Sequence, residues 1–465
     1  MSSTPAEVQT DFAGIVGNSH VVADVEGCAA FAVDGLTPKC AVYAASPEHV
    51  AEVLKFAADR GQAVIPSRSR TKLGLGAPPK RYDVALSLKD MNQVWYYEPD
   101  DLVMSVGPGM KFGDLQHFLS RHKLWLPLDP AGGDRASVGG ILATNSAGPL
   151  RLHYGAPRDF VLGLKIATVE GKIIKTGGRV VKNVAGYDLG KLLIGSHGTL
   201  GVIVEATFKL YPQVPERVTW IIEPATLAAA REFRRSLLRS PLRPLRAVLL
   251  NAQAAALFNT KSERNGSGPA LEIRLEAGGS PRVMARYAGE LGKLARQIGA
   301  SIRKVENEAA AWEPIADFGC CVTGEHGFSI VLKASLPIAA GEEFLERASK
   351  EAQAAQCEAA GVVQLGVGIV ELGLAGAAQT VDGKSQMANA DSALPQGVVV
   401  RLISRLRRIA WDLGGSLTVE RCPLELKSEV DIWGPTRDDF EVMRKLKAAW
   451  DPKGILAPGR FVGGI

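Results

Sequence analysis

A chain of 465 residues, 46% hydrophobic and 22% charged, is long enough for two or three domains with real cores. Its 54 Lys and Arg against 49 Asp and Glu leave a net charge of only +5, and no basic run is interleaved with aromatics, which excludes a nucleic-acid binder built on charge. The stretch MSSTPAEVQTDFAGIVG lacks the basic and apolar blocks of a signal peptide, and no apolar stretch is long enough to span a bilayer, so a cytoplasmic protein without an integral membrane segment is expected.

Residues 1–38 read as irregular or weakly helical. From Cys40, CAVYAA predicts a short strand, 47–60 a helix capped by Ser46 with Pro47 at its first position, and QAVIP a second strand, together a βαβ unit. That unit delivers the chain into PSRSRTKLGLGAPP, residues 66–79. Next, 101–107 predict a strand, 112–122 an amphipathic helix with Leu115, Phe118 and Leu119 on one face, and LWLPL another strand, again β, α, β. ASVGGILATNSAG at 136–148 sets glycines and small residues between short apolar runs, the composition needed where backbone approaches a large ligand closely. Gly139 and Gly140 are expected to turn free N–H groups toward an anion, with Thr144, Asn145 and Ser146 adding polar contacts and Arg151 and Arg158 close by, so a pyrophosphate is the natural guest.

VLGLKIATV and KIIKTGG flank a Glu170–Gly171 turn and predict a hairpin. GSHGTLGVI at 195–203 is the third glycine-bearing motif, after 66–79 and 136–148, and VIVEATFKLYP alternates so that Ile203, Glu205, Thr207 and Lys209 share a face. Pro212 and Pro215 mark a boundary. Beyond it VTWIIE, LRAVLL, ALEIRLE, FSIVLKA, VVQLGVGIVEL and SLTVE read as strands, alternating with helices at 226–239, 281–298, 340–355 and 397–413. Such recurring split βαβ units predict an antiparallel sheet with helices on one face. KSERNGSG and AAQTVDGKSQMANADSALPQG lack periodicity and read as mobile loops, and 438–450 as a helix ended by Asp451–Pro452. The six cysteines, Cys28, Cys40, Cys320, Cys321, Cys357 and Cys422, show no CxxC spacing, so buried free thiols are expected in place of a zinc site or a cluster held by this chain alone.

The order of these motifs resembles the flavin-binding domain of the vanillyl-alcohol oxidase and p-cresol methylhydroxylase (PCMH-type) family. LWLPLDPAGGDRASVGGILATNSAGPLRLHYG, then VVKNVAGYDLGKLLIGSHGTLGVI and the closing DPKGILAPGRF are similar in particular to the E-type subunits of glycolate oxidases, densely over 40–215 and thinly over the last fifty residues. The resemblance implies an α+β fold: a PCMH-type FAD-binding domain of two α/β subdomains at 1–215, a substrate-covering domain at 216–420, and a segment at 421–465 that returns to the first. It implies FAD contacts from Pro66, Ser67, Arg68, Ser69, Arg70 and Thr71, from Pro130, Ser137, Val138, Gly139, Gly140, Thr144, Asn145, Gly148 and Tyr154, and from Gly198, Gly201, Val202 and Ile203. Relatives carry glycines where Arg68 and Arg70 stand. A side chain at a position needing positive φ costs about 1 kcal/mol or more, which two guanidiniums beside a diphosphate return through charge-assisted hydrogen bonds. None of the seven histidines lies in this loop, so the FAD is expected to be non-covalent.

Related flavin-dependent 2-hydroxy-acid dehydrogenases carry GHAGDGNLH and later GEHG, whose imidazoles and carboxylates suit a divalent metal. Here VQLGVGIVE puts Gln364, Val367, Ile369 and Glu371 at the first set of positions and GGSLTVERCP puts Glu420 and Arg421 at the second, so no metal is expected. TGEHGFS precedes the glycine-rich strand, out of order, and His326 reads as an ordinary loop or core histidine. Lys182, Asn183, Tyr187 and Asp188 match the run that in the family shapes the pocket beneath the flavin ring. Tyr187, Glu371 and Arg421 are the remaining catalytic candidates, Arg421 either anchoring a carboxylate or pairing with Glu420 or Asp188. The resemblance implies a subunit of a glycolate (2-hydroxy-acid) oxidase complex, beside a sister flavoprotein and an iron–sulfur subunit that could bring it to the inner membrane. A free-standing FAD-dependent dehydrogenase of another small alcohol or hydroxy acid, and a flavin-less assembly subunit, stay open.

Overall fold

Ser46 starts the first long helix through a side-chain cap. In the computed structural model, which describes every residue except 1–4, 180–186, 259–269, 306–307, 319–329, 377–378, 382–383 and 387–394, its hydroxyl accepts the N–H of His49 at 3.1 Å. Pro47 occupies the first turn, and Gly61 ends the helix Pro47–Arg60 with a left-handed φ of 65°. Its apolar stripe, Val50, Val53, Leu54 and Ala57, is fully buried. The chain divides into two units, Met1–Ala147 with Gly155–Gln213 and Pro435–Ile465, and Gly148–Tyr154 with Val214–Gly434.

In the first unit, the strands Cys40–Tyr43 and Val64–Ser67 are parallel but not adjacent: Val84–Ser87, four residues too short to signal alternation, runs between them and parallel to both. Residues 1–38 are more regular than expected. Helix Pro5–Val16 buries Phe12 and Val16 against this sheet, and strand Val21–Val22 pairs antiparallel with Cys40–Tyr43. The second β, α, β unit does not form. Val103–Val106 joins an antiparallel sheet in the order Val94–Glu98, Val103–Val106, Val202–Lys209, Val161–Ala167, Ile173–Gly177, whereas Leu124–Trp125 pairs with Tyr211–Pro212 elsewhere. The Glu170–Gly171 hairpin forms in register, Ala167 facing Ile173.

The second unit holds, among the described residues, one eight-stranded antiparallel sheet: Ser301–Lys304, Glu216–Glu223, Leu271–Gly279, Arg246–Asn251, Cys357–Gln364, Ile369–Gly376, Ile330–Ser335 and Ser416–Arg421. The run VVQLGVGIVEL is not one strand but the two arms of a hairpin, turned at residues 365–368, where Gly366 and Gly368 take φ of 80° and 83° that other residues resist. Helices cover both faces of the sheet, not one. Ala247 and Leu249 pack into the large core under Leu227–Arg239, Pro281–Gln297, Gly341–Ala354 and Gln396–Asp412, while Val248 and Leu250 meet Ala252–Phe258 and Glu308–Ala316 on the other side. LRAVLL is apolar on both sides because both sides are covered.

Among the described residues no helix is long and apolar enough to cross a membrane, and Cys28, Cys40, Cys357 and Cys422 are free thiols. Cys320 and Cys321 lie outside the described residues. Burial pushes the Cys40 thiol from its ordinary 9.0 up to about 12, with Cys28 and Asp83 adding to the rise and Lys39 opposing it. Burial raises the Tyr82 phenol too. Both groups are protonated in the fold, so their contribution is complete below the unfolded values and is lost as pH climbs through the folded ones. Resistance to urea should therefore fall progressively from pH 9.0 to about 12. Cys40→Ala should flatten that slope; an unchanged slope would show that the thiol does not report on unfolding.

Candidate functional site

Three glycine-bearing segments far apart in sequence meet in the first unit. The second-motif helix Val138–Thr144 starts at Ser137, whose hydroxyl accepts the Gly140 N–H at 3.3 Å, and lies on the loop before it through Val138 N to Met110 O at 2.9 Å and Gly139 N to Pro108 O at 2.8 Å. The N–H groups of Gly139 and Gly140 are thus engaged by the helix start and its neighbour, a correction to the expectation that they stand free. The third motif is stitched to the end of the same helix, Gly195 N donating to Leu142 O at 3.0 Å and His197 N to Ala143 O at 2.9 Å. Gly198, at φ 72°, comes so close to the first loop that an added Cβ would stand 3.1 Å from Pro66 Cγ.

These segments wall an open cleft that encloses about 1110 Å³ when the space at its mouth is included. Pro66, Ser67, Arg68, Ser69, Arg70, Thr71, Ser137, Gly139, Gly140, Thr144, Gly198, Gly201, Val202 and Ile203 all line it. Pro130, Val138 and Asn145 belong to the same unit without lining it, and Gly148 and Tyr154 fall in the other unit. Val138 is instead buried, and Asn145 takes a left-handed φ of 47° as the C-cap of the motif helix. Sequence reasoning missed Lys72, His197, Ala457 and Arg460, which also line the cavity. The signal for the last two was the closing LAPGRF, whose Ala457 has a φ of 43°.

The wall is cationic. Arg68, Arg70, Lys72 and Arg460 line it and, among the described residues, no Asp or Glu does. Arg68 Nε donates to Gly109 O at 2.9 Å and its Nη1 to Ser69 Oγ at 3.1 Å, and burial draws its pKa below the usual guanidinium value against the pull of Asp114. Arg70 has the positive φ, 58°, that its loop position demands, but its guanidinium turns to Ala30 O and lies 4.9 Å from the centre of the Phe31 ring. The two arginines therefore do different things. Ser67 Oγ is buried with no hydrogen-bond partner among the described groups, a polar atom for which an occupant of the cavity is the natural partner. An electropositive, glycine-lined pocket with an orphaned hydroxyl fits a dinucleotide diphosphate.

None of the remaining candidates among the described residues lines this cavity. Tyr187 is 94% exposed and lines no part of it, and Lys182 and Asn183 lie outside the described residues. Asp188 caps helix Leu189–Leu193 and pairs with Lys191 at 3.1 Å. In the second unit Gln364 is buried at the end of its strand with Oε1 unpartnered among the described groups, Val367 sits in the turn, and Glu371 faces Lys333 across the strand pair. Lys333 Nζ lies 3.7 Å from Glu420, and Arg421 faces Val331 beside a bulge. No group of three or more His, Cys, Asp or Glu side chains comes together among the described residues. His326 lies outside them.

Two family models match the chain, the FAD binding domain over residues 38–177 and the C-terminal domain of FAD linked oxidases over 433–461. The chain is 29% identical over 422 residues to a D-lactate dehydrogenase of Archaeoglobus fulgidus, covering 89% of each. It is 24% identical over 433 residues to glycolate oxidase subunit GlcD of Bacillus subtilis, covering 91% of this chain and 89% of that one. Its fold is similar to that of p-cresol methylhydroxylase, with a TM-score of 0.75 at 18% identity over 98% of this chain and 96% of the other.

Proposed function

We propose that this chain, which belongs to the FAD-linked oxidoreductases, is the E-type subunit of a glycolate (2-hydroxy-acid) oxidase complex and holds its FAD without a covalent bond. The observation that carries the cofactor half is the cavity: its walls are the very segments that bear the motifs and, among the described residues, they are cationic without a carboxylate and leave Ser67 Oγ without a partner. The substrate class is supported by the two relatives, whose names, lactate dehydrogenase and glycolate oxidase subunit, share the chemistry of a hydroxyl beside a carboxylate. Bound FAD supplies the two-electron acceptor. Ser67 would hydrogen-bond it, Gly140 and Gly198 would let it approach backbone, and Arg68 would offer its remaining donors to the diphosphate.

Sister flavoprotein and iron–sulfur subunits enter because the positions where a metal-binding relative sets its ligands hold Gln364, Val367, Ile369 and Glu371, which leaves this chain poorly equipped to take the hydroxyl proton alone. The test is anaerobic mixing of the FAD-loaded chain with glycolate or D-lactate while flavin bleaching is followed. Slow bleaching by the isolated chain that becomes fast with its sister subunits is expected; fast bleaching alone would make it a free-standing dehydrogenase. That second reading draws on the likeness to the D-lactate dehydrogenase, a relative named as a dehydrogenase and not as a subunit, which spans 89% of each chain.

The arginines provide a sharper prediction. Arg68→Ala should weaken FAD binding by about tenfold and flatten its dependence on salt, since a guanidinium contact to phosphate is screened by ions. Arg70→Gly should leave the salt dependence as it is and relieve about 1 kcal/mol of backbone strain. Titrating apoprotein with FAD at several salt concentrations checks both; tighter binding by Arg68→Ala would mean that the side chain obstructs the loop.

A further inference from the structure

The end of the chain holds both glycine-bearing turns of the cavity. Lys447, at the last turn of helix Phe440–Trp450, donates from Nζ to Thr199 O at 2.9 Å in the third motif, to Leu456 O at 2.9 Å and to Asp451 Oδ2 at 2.7 Å. Asp451, its side chain wholly buried, accepts the N–H groups of Ile455 at 3.0 Å and Leu456 at 2.8 Å and so shapes the tail. The tail then runs beside the strand that feeds the first loop, Val64 N donating to Ile455 O at 2.8 Å and Ala457 N to Val64 O at 2.9 Å. Arg460, 6% exposed, reaches into that loop and donates from Nη2 to Leu73 O at 2.5 Å and Leu75 O at 2.6 Å.

Residues 66–76 have no strand or helix of their own past Ser67, so cross-links to neighbours set their shape. A charged donor on two carbonyls of one loop, and another on a carbonyl of the opposite turn, fix the backbone on two sides of one cavity. We propose that the C-terminal segment 451–460 is a latch on the cofactor cavity, with Arg460 and Lys447 as positioning residues that hold the two turns in the shape that receives FAD. The inference rests on the FAD reading above. It makes tail docking and cofactor binding two halves of one equilibrium: what the tail does for FAD, FAD does for the tail, by the same factor.

Both directions are measurable. Arg460→Met and Lys447→Met should each weaken FAD binding about tenfold to a hundredfold, while saturating FAD restores the wild-type visible spectrum. Arg460→Lys should recover part of the loss. Arg81→Ala serves as the control: Arg81 also ties the tail, through Gly454 O at 3.2 Å, but touches neither turn, and its change should leave FAD affinity alone. In the wild-type protein, FAD should slow hydrogen exchange at the amides of 455–460. Wild-type affinity in Arg460→Met, or tail exchange indifferent to FAD, overturns the latch; a wild-type chain that binds no FAD overturns the cofactor reading instead. Should Arg460→Met fail to fold, the exchange measurement on the wild-type protein decides alone.

Discussion

Gly140→Val should give a folded protein that has lost its FAD. Ser137, Gly140 and Thr144 fall on one stripe of the motif helix, spaced three and four residues apart, and all three line the cavity. A Cβ on Gly140 would meet only Ser137 Oγ, at 3.1 Å, so the added branches extend into open space that the cofactor requires. Gly139 differs. Its Cβ would collide with Pro108 Cβ at 2.8 Å and Pro108 O at 3.1 Å, so Gly139→Val should pry the helix off the preceding loop and cost stability as well as cofactor. Affinity for FAD should fall at least about a hundredfold, some 3 kcal/mol, in both, but only Gly139→Val should lower the melting temperature of the apoprotein. Fluorescence titration with FAD and thermal unfolding of the apo forms check this pair. A full complement of FAD bound to Gly140→Val with unchanged affinity would mean that the motif does not meet the cofactor.

The contrast between these two glycines also marks how far the sequence could be read. That ASVGGILATNSAG belongs to a crowded pocket was legible, because glycines between apolar runs have few other uses; which glycine faces the pocket and which faces Pro108 depends on a loop 30 residues upstream. Helix Pro47–Arg60 was legible to the residue because its cap, its first-turn proline and its terminal glycine are all local. The hairpin at Cys357–Gln364 and Ile369–Gly376 was hidden inside an unbroken apolar run, as befits strands buried on both faces, although the Gly-x-Gly at 366–368 was the available clue. Arg68 and Arg70 looked equivalent on paper. Only the fold turns one toward Gly109 and the other toward Phe31. Arg460 and Lys447 were invisible for a different reason: a lone cation near a terminus is ordinarily solvated, and nothing local announces that Arg460 ends on carbonyls 385 and 387 residues away.

The largest loss of stability should come from the second unit, at Glu272. Strand Leu271–Gly279 sends Leu271, Ile273, Leu275 and Ala277 into the large core and Glu272, Arg274 and Glu276 to the opposite face, where each is at most 1% exposed. Charges this deep persist only when paired. Arg274 donates from Nε to Glu272 and from Nη1 to Ala311 O at 2.8 Å; Glu276 accepts two bonds from Arg246, at 2.7 and 3.2 Å. Arg246 in turn lies 4.5 Å from the ring centre of Trp312, whose indole N–H donates to Thr219 Oγ1 at 2.9 Å. The network thus fastens helix Glu308–Ala316 to the sheet. Glu272→Ala removes the carboxylate that accepts from Arg274 Nε at a site where both residues are at most 1% exposed, and breaking a buried ion pair by truncating one member costs about 3–5 kcal/mol. In a unit of this size that lowers the melting temperature by roughly 6–20 °C. Converting both Glu272 and Arg274 to Met should cost less, because the two charges of the pair leave together and apolar side chains of similar length fill their place. The FAD affinity of the folded fraction should not change in either variant, since every residue lining the cavity belongs to the first unit. Thermal unfolding followed by circular dichroism separates the cases, and a Glu272→Ala protein that melts with the wild type would show that water reaches Arg274 and that the pair fastens nothing.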